Sequence, residues 1–266
     1  MIWLASYPRS GNTWMRFLLY AYLEGRVRDF KSVEARIPNL HRGGLDRLPP
    51  AAPVLCKTHL LLDSRHPQLA ATTGAIYLVR HPKDVLLSNL NYSRLWSEDL
   101  DARQFALDFI REGGVPEWRA AGLGSWAGHV RSWTETAAFP CLTIHYESML
   151  RDPRDSLAAA LRFAGVEPER RRLDRAVRAC SLQRLRRIEL ADRASADPSL
   201  IPGGRQALTP RVFFFHRGAA AQSLAALGAD LDALCEARFA GELELLNAAQ
   251  PRRREPLGER FLGGDS

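Results

Sequence analysis

The sequence predicts an α/β protein of three layers, a central parallel β-sheet flanked by helices on both faces. Two observations predict it. Four short apolar runs, Ile2 to Tyr7, Val54 to His59, Ala75 to Val79 and Cys141 to Tyr146, recur along the chain, and most are followed by a helical pattern. The third of these is continuously apolar, as a strand covered on both faces must be. In such sheets ligands sit beyond the carboxyl ends of the strands, so the residues that end each run are the candidates for chemistry.

The first run opens MIWLASYPRSGNTWMRFLLYAYLEG. It is too short for the apolar core of a secretory leader, and no small-residue cleavage site follows a basic start, so it is expected to belong to the fold. Pro8 cannot continue a ladder and Gly11 is free in its dihedrals, so Arg9 to Asn12 read as a tight loop, with Asn12 or Thr13 as the cap of a helix from Thr13 to Glu24. Loop N–H groups and the first free N–H groups of that helix converge on one point of positive potential, which suits phosphate or sulfate. Arg9 adds a permanently charged fork beside it. The GxxxxGK[ST] spacing of an ATP or GTP loop is missing, and a surface turn with one solvated arginine is the alternative.

The second run ends in Lys57-Thr58-His59, and strand alternation sends Lys57 and His59 to one face. Together they offer a charge stabiliser and a base, or else a hydrogen-bonded histidine at the sheet margin. The third run ends in LVRHPKDVLLS. Arg80 at the strand end and Ser88 on the next helix can hold two sides of one phosphate, unless Arg80 pairs with Asp84 and Ser88 faces solvent.

Further helices are predicted at Asp84 to Leu95, Asp101 to Glu112, Trp126 to Ala138, Pro153 to Ala164, Pro168 to Cys180 and Leu224 to Asn247. Three stretches lack a regular pattern: His41 to Pro53, Ala191 to Pro210 and Gln250 to Ser266. The last is rich in Arg, Pro and Gly and reads as a fraying tail. With neither repeat nor linker, residues 1–249 read as one domain and 250–266 as a flexible C-terminal tail.

A chain of 266 residues that is 46% hydrophobic can bury one large core, and no run reaches the length that crosses a bilayer. Cys56, Cys141, Cys180 and Cys235 are widely spaced and without a CxxC pair, as in a reduced cytoplasmic protein, and no metal-ligand cluster is visible. The net charge of +7 favours an acidic partner without choosing among nucleic acid, membrane surface and small polyanion. The arginine-rich runs Glu169 to Arg172 and Gln183 to Arg187 lack the interleaved aromatics of a single-strand binding surface and read as solvated faces.

Six segments in order, SYPRSGNTW, CKTHL, VRHPKDVLLS, GSWAGHVRSW, HYESML and FHRG, together resemble the sulfotransferases that use 3′-phosphoadenosine 5′-phosphosulfate, over roughly residues 1–218. Within that family the chain is most similar to bacterial enzymes that sulfate natural-product scaffolds such as glycopeptides. The resemblance implies the P-loop-like nucleotide-binding fold of that family, the phosphosulfate donor (PAPS) with the bisphosphate product (PAP), and no metal. It further implies transfer to a hydroxyl of a small-molecule or natural-product acceptor, and not a nucleic-acid partner. Oligomeric state stays open.

By position, the resemblance places Arg9 beside the bridging oxygen of the leaving group, and Ser10, Gly11, Asn12, Thr13 and Trp14 around the 5′-phosphosulfate. Arg80 and Ser88 would grip the 3′-phosphate, with His216, Arg217 and Gly218 closing over it. Tyr146 and the Cys180-Ser181-Leu182 stretch would contact adenine. His59 matches the catalytic base, Lys57 the lysine two residues before it, and His129 a residue near the acceptor. Tyr92, Trp96, Trp118, Trp126 and Phe109 could offer the acceptor a flat apolar wall or belong to the core, with Trp126 favoured as core. Two departures stand out: the family's loop usually carries lysine where this chain has Arg9, and many members carry arginine where it has His216. A kinase-like phosphoryl transferase on the same fold, or a nucleic-acid-binding protein using the arginine excess, are the rival readings.

Overall fold

The computed structural model describes residues 1–42, 55–97, 99–136, 138–195, 209 and 211–248. The four expected strands are present as β1 (Ile2–Ser6), β2 (Leu55–Thr58), β3 (Gly74–Val79) and β4 (Cys141–His145). They form one parallel sheet in the order β2-β1-β3-β4, with Ile2 opposite both Leu55 and Gly74, and Ala75 opposite Cys141. Tyr7, His59 and Tyr146, which the sequence pattern assigned to strand ends, lie just past the last ladder residue. Because the sheet is parallel, these three ends lie at one edge.

Strand alternation sorts the two cores. Ile2, Leu4, Ile76, Leu78 and Ile144 pack on one face against α1 (Asn12–Glu24), α2 (Phe30–Arg36), α8 (Pro153–Phe163) and α9 (Arg170–Ala179). Trp3, Ala5, Ala75, Tyr77 and Val79 pack on the other against α3 (Pro82–Ser93), α4 (Ala102–Glu112), α6 (Trp126–Thr134) and α11 (Leu231–Ala248). Every residue of β1 and β3 is buried, which accounts for their uninterrupted apolar character. Three further helices complete the chain: α5 (Pro116–Ala120), α7 (Tyr146–Arg151) and α10 (Leu182–Ala194). Side-chain caps start several helices: Asp101 accepts from the Gln104 N–H at 2.9 Å, Ser125 from Gly128 at 3.1 Å and Asp152 from Asp155 at 3.0 Å.

Four helices lie outside the segments assigned as helices: α2, α5, α7 and α10, the last over the helical-looking run Gln183 to Arg187. The first three are short, at 7, 5 and 6 residues, too brief for a 3.6-residue period to declare itself. The expected helix from Leu224 begins only at Leu231. Leu224 to Asp230 instead turns twice, with Leu227 N–H bonded to the Leu224 carbonyl and Leu231 N–H to that of Gly228. The tail assigned to 250–266, most of the His41 to Pro53 stretch and residues 196–208 lie outside the described residues. No described helix is long and apolar enough to cross a membrane.

Candidate active site

The loop after β1 turns on two left-handed residues, Arg9 with φ 72° and Gly11 with φ 97°. At Gly11 the conformation and the space both require glycine, because a Cβ there would stand 2.6 Å from Cδ2 of the Tyr146 ring. Gly11, not Asn12 or Thr13 as the pattern suggested, is the N-cap residue, and no side chain caps α1. Asn12 is drawn inward instead, donating to the Leu4 carbonyl at 2.9 Å and the Ser6 hydroxyl at 3.2 Å. The first intrahelical bond runs from Met15 N–H to the Gly11 carbonyl. The N–H groups of the first turn thus face outward at the positive end of the helix, as an anion site demands.

Those residues line a cavity of about 670 Å³ at the carboxyl edge of the sheet. Its walls take Arg9, Gly11, Asn12, Thr13 and Trp14 from the first loop, Lys57 and His59 from the end of β2, and Arg80 and Ser88 from β3 and α3. Tyr146, Leu182, His216, Arg217 and Gly218 complete that side, and Tyr92 with Trp118 stands on the other. Fifteen of the eighteen predicted site residues line this space; His129 and Trp96 do not, and Ser10 is buried beneath the loop with its hydroxyl unpartnered.

Arg80 organises one end of the cavity. It is 6% exposed, donates from Nη1 to the Arg9 carbonyl at 3.1 Å and from Nη2 to the Ala219 carbonyl at 2.8 Å, and stands 4.2 Å over the Tyr146 ring. Asp84, the alternative partner for Arg80, instead accepts the N–H groups of Ala221 and Gln222 at 2.9 and 3.1 Å. Arg9 donates from Nε to the Ser88 hydroxyl at 3.3 Å and from Nη2 to the Phe214 carbonyl at 2.9 Å, with its guanidinium 4.1 Å from the Phe214 ring. Burial lowers its pKa to about 10, so it stays charged at neutral pH.

At the other end, Nδ1 of His59 lies 2.7 Å from the Ser6 carbonyl and 3.3 Å from the Ser6 hydroxyl. The His59 N–H donates to Nε2 of His41 at 2.8 Å, and the two rings stack 5.5 Å apart. His129 Nε2 lies 3.0 Å from the His59 carbonyl and its Nδ1 2.9 Å from the Tyr77 hydroxyl. Since carbonyls only accept, His129 carries its proton on Nε2 and receives one from Tyr77. Burial, then the charge of Lys57, holds the His59 pKa well below its usual value. Burial, then Arg16 and Arg42, lowers that of Lys57.

Two acceptor-side expectations are corrected. His129 is fully buried and does not reach the cavity, because both its ring nitrogens are committed to Tyr77 and to the backbone of His59. It holds the loop after β2, together with Ser132, which accepts from Leu62 N–H, and Trp133, which donates to the Leu60 carbonyl. Trp96 is 37% exposed and packs edge-on against Tyr92 outside the cavity wall. Trp126 and Phe109 are core. The residues that sequence reasoning missed are His41 and Phe214. His41 opens a patternless stretch, and only the run Phe213-Phe214-Phe215 ahead of His216 marks the second.

A family model described as a sulfotransferase domain matches residues 1–199. The chain is 29% identical over 213 residues to sulfotransferase 1A1 of Canis lupus familiaris, covering 74% of this chain and 70% of that one. It is 29% identical over 204 residues to sulfotransferase 1E1 of Homo sapiens, covering 69% and 65%. Among solved structures, retinol dehydratase in complex with androsterone and the inactive cofactor PAP superposes with a TM-score of 0.70 at 19% identity, over 96% of this chain and 82% of that one. Mouse sulfotransferase SULT7A1 complexed with PAP gives 0.62 at 22% identity, over 93% and 87%.

Proposed function

Because this chain belongs to the sulfotransferase domain family, we propose that its cavity holds 3′-phosphoadenosine 5′-phosphosulfate and passes the sulfuryl group to a hydroxyl of a small-molecule acceptor, with His59 as the base. One observation carries the reading. A single cavity joins the uncapped first turn of α1, the Arg80–Ser88 pair and the His59 imidazole. A nucleoside with phosphate at both ends needs two anion sites facing one sheet edge, and a transfer at its 5′ end needs a base beside one of them.

The residues present fit the donor. Gly11 keeps the loop open where a Cβ would collide with Tyr146, and the buried Ser10 hydroxyl and Arg80 Nε have no protein partner. In this reading the first-turn N–H groups of α1 hold the 5′-phosphosulfate, while Arg80, Ser88 and the His216-Arg217-Gly218 turn hold the 3′-phosphate. Tyr146, Trp14 and Leu182 bound the adenine.

The donor supplies an activated sulfuryl group whose leaving phosphate needs no protonation. The chain's residues supply the remainder. Nε2 of His59 takes the acceptor's hydroxyl proton as the oxygen attacks sulfur, while Lys57 and Arg9 stabilise charge on the transferring and departing oxygens. Arginine at position 9 suffices for that, since stabilising a departing phosphate requires charge but not a transferable proton.

Phe30, Tyr92, Trp118 and Leu123 form an apolar wall suited to a flat ring bearing the hydroxyl. A phenolic or glycosylated natural-product scaffold is the acceptor class we favour, in keeping with the sequence resemblance to bacterial enzymes of that kind. Four free cysteines support a reducing, cytoplasmic setting.

The test incubates the purified chain with sulfur-labelled donor and a panel of phenols, sugar alcohols, peptide antibiotics and lipid-linked alcohols. The proposal expects label in at least one hydroxyl acceptor and heat on titration with PAP. A chain that takes up no PAP in calorimetry, at any salt concentration, would overturn it.

A further inference from the structure

The turn that carries His216, Arg217 and Gly218 is suspended from buried carboxylates on two different helices. Glu189 on α10 is fully buried and accepts the N–H groups of Phe214 and Phe215 at 2.6 and 3.0 Å. Arg193, one helical turn on, pairs with Glu189 and donates to the Val212 carbonyl, while Arg186 donates to the carbonyls of Phe215 and His216. At the far end, Asp84 of α3, also fully buried, accepts Ala221 and Gln222. Between the anchors, Arg80 grips the Ala219 carbonyl.

Glu189 bears on the cavity at two points. Through Phe214 it fixes both the carbonyl and the ring that hold the Arg9 guanidinium. Through Phe215 it fixes where the His216-Arg217-Gly218 turn enters the wall. A carboxylate with two backbone N–H donors and an arginine admits one arrangement, and a carboxamide there would turn its NH₂ toward one of the two N–H groups.

We propose that Glu189 is a positioning residue for recognition of the donor's 3′-phosphate, acting through the Phe214–Gly218 segment without touching the nucleotide. The inference rests on the donor reading given above, which places the 3′-phosphate at that turn. Its effect should be largest on the phosphate that the segment covers, with a smaller effect at the 5′ end through Phe214 and Arg9. Adenosine 5′-monophosphate, which lacks that phosphate, serves as the internal control.

The experiment measures Kd for PAP and for adenosine 5′-monophosphate by calorimetry on the full chain and on Glu189→Gln. Arg186→Gln, at a more exposed contact to the same segment, carries the same measurement should Glu189→Gln not fold. The expected result is about tenfold weaker PAP binding, a clearly smaller loss for the monophosphate, and an unchanged acceptor KM. Equal PAP affinity in variant and parent overturns this inference alone, as does an equal loss for both nucleotides. Failure of the parent chain to bind PAP overturns the donor reading and this inference with it.

Discussion

Nδ1 of His59 stands 2.7 Å from the carbonyl oxygen of Ser6, at the carboxyl end of the neighbouring strand. A carbonyl can only accept, so Nδ1 carries the ring proton and Nε2 keeps the lone pair for the cavity. The imidazole of the proposed base is thus oriented by the first strand, while its backbone is held by His41 on one side and His129 on the other. His59→Ala should lower kcat by ~10²–10⁴ and leave the PAP dissociation constant within about twofold, because no donor contact is assigned to His59. Calorimetry beside steady-state rates separates the two. A parallel loss of PAP binding would make His59 a structural residue.

The pH profile follows from the same surroundings. Burial is the larger cause of the lowered His59 pKa and the Lys57 charge the next. Activity that needs neutral His59 is therefore full at and above pH 6.5 and is lost only as pH falls well below it. Lys57→Met removes one depressing charge, so the acidic limb of kcat/KM should move up toward 6.5 while the maximum rate drops. A limb that stays in place would remove Lys57 from the neighbourhood of the reacting base.

Arg80 reaches the Arg9 carbonyl and the Ala219 carbonyl with two different nitrogens while lying on Tyr146. A lysine ammonium keeps the charge but cannot span both acceptors or stack in the same way. Arg80→Lys should weaken PAP binding at least tenfold with little change in acceptor KM. Unchanged PAP affinity would mean that charge alone suffices at this position and that the fork geometry is irrelevant.

The cavity wall proposed to hold the donor was legible in the sequence because its parts are local. A Pro-x-x-Gly loop between strand and helix, and an arginine eight residues before a serine, each announce themselves within one window. The proposed catalytic pair was legible for the same reason, as Lys57 and His59 are two apart at one strand end and both line the cavity. What stayed hidden is long-range. His129 was placed near the acceptor because its segment resembles a family motif, yet its two ring bonds join it to residues 52 and 70 positions away. Glu189 and Phe214, 25 residues apart, meet only through the fold. The α2, α5 and α7 helices escaped for a different reason: one or two turns carry too few apolar positions to show a period.

Buried neutral histidines make stability depend on acid. Burial lowers the His129 pKa to about 3, against about 6.5 in an unfolded chain. Below pH 6.5 the unfolded state takes up a proton that the folded state refuses until about pH 3, so this contribution is complete above 6.5 and declines as pH falls through that window. Each such group gives a slope of about 1.4 kcal/mol per pH unit. Urea unfolding at pH 4 to 7 should show stability falling with acid, and His129→Gln should reduce the slope by about that amount. An identical slope in the variant would mean that His129 titrates normally and is not sealed between Tyr77 and the His59 carbonyl.

Gly11 offers the sharpest test of the loop. Its φ of 97° costs a side-chain-bearing residue about 1–3 kcal/mol, and the added Cβ would stand 2.6 Å from a ring carbon of Tyr146. That ring cannot retreat freely, since Arg80 lies over one face and Trp14 meets it edge-on. Gly11→Ala should therefore displace Tyr146 and the first turn of α1 together, abolishing PAP binding while β1 and the two cores stay folded. The separation is measurable, with near-native far-ultraviolet circular dichroism and a modestly lowered Tm beside no calorimetric heat. A Gly11→Ala chain that binds PAP as tightly as the parent would show that neither the left-handed turn nor the Tyr146 contact shapes the anion site.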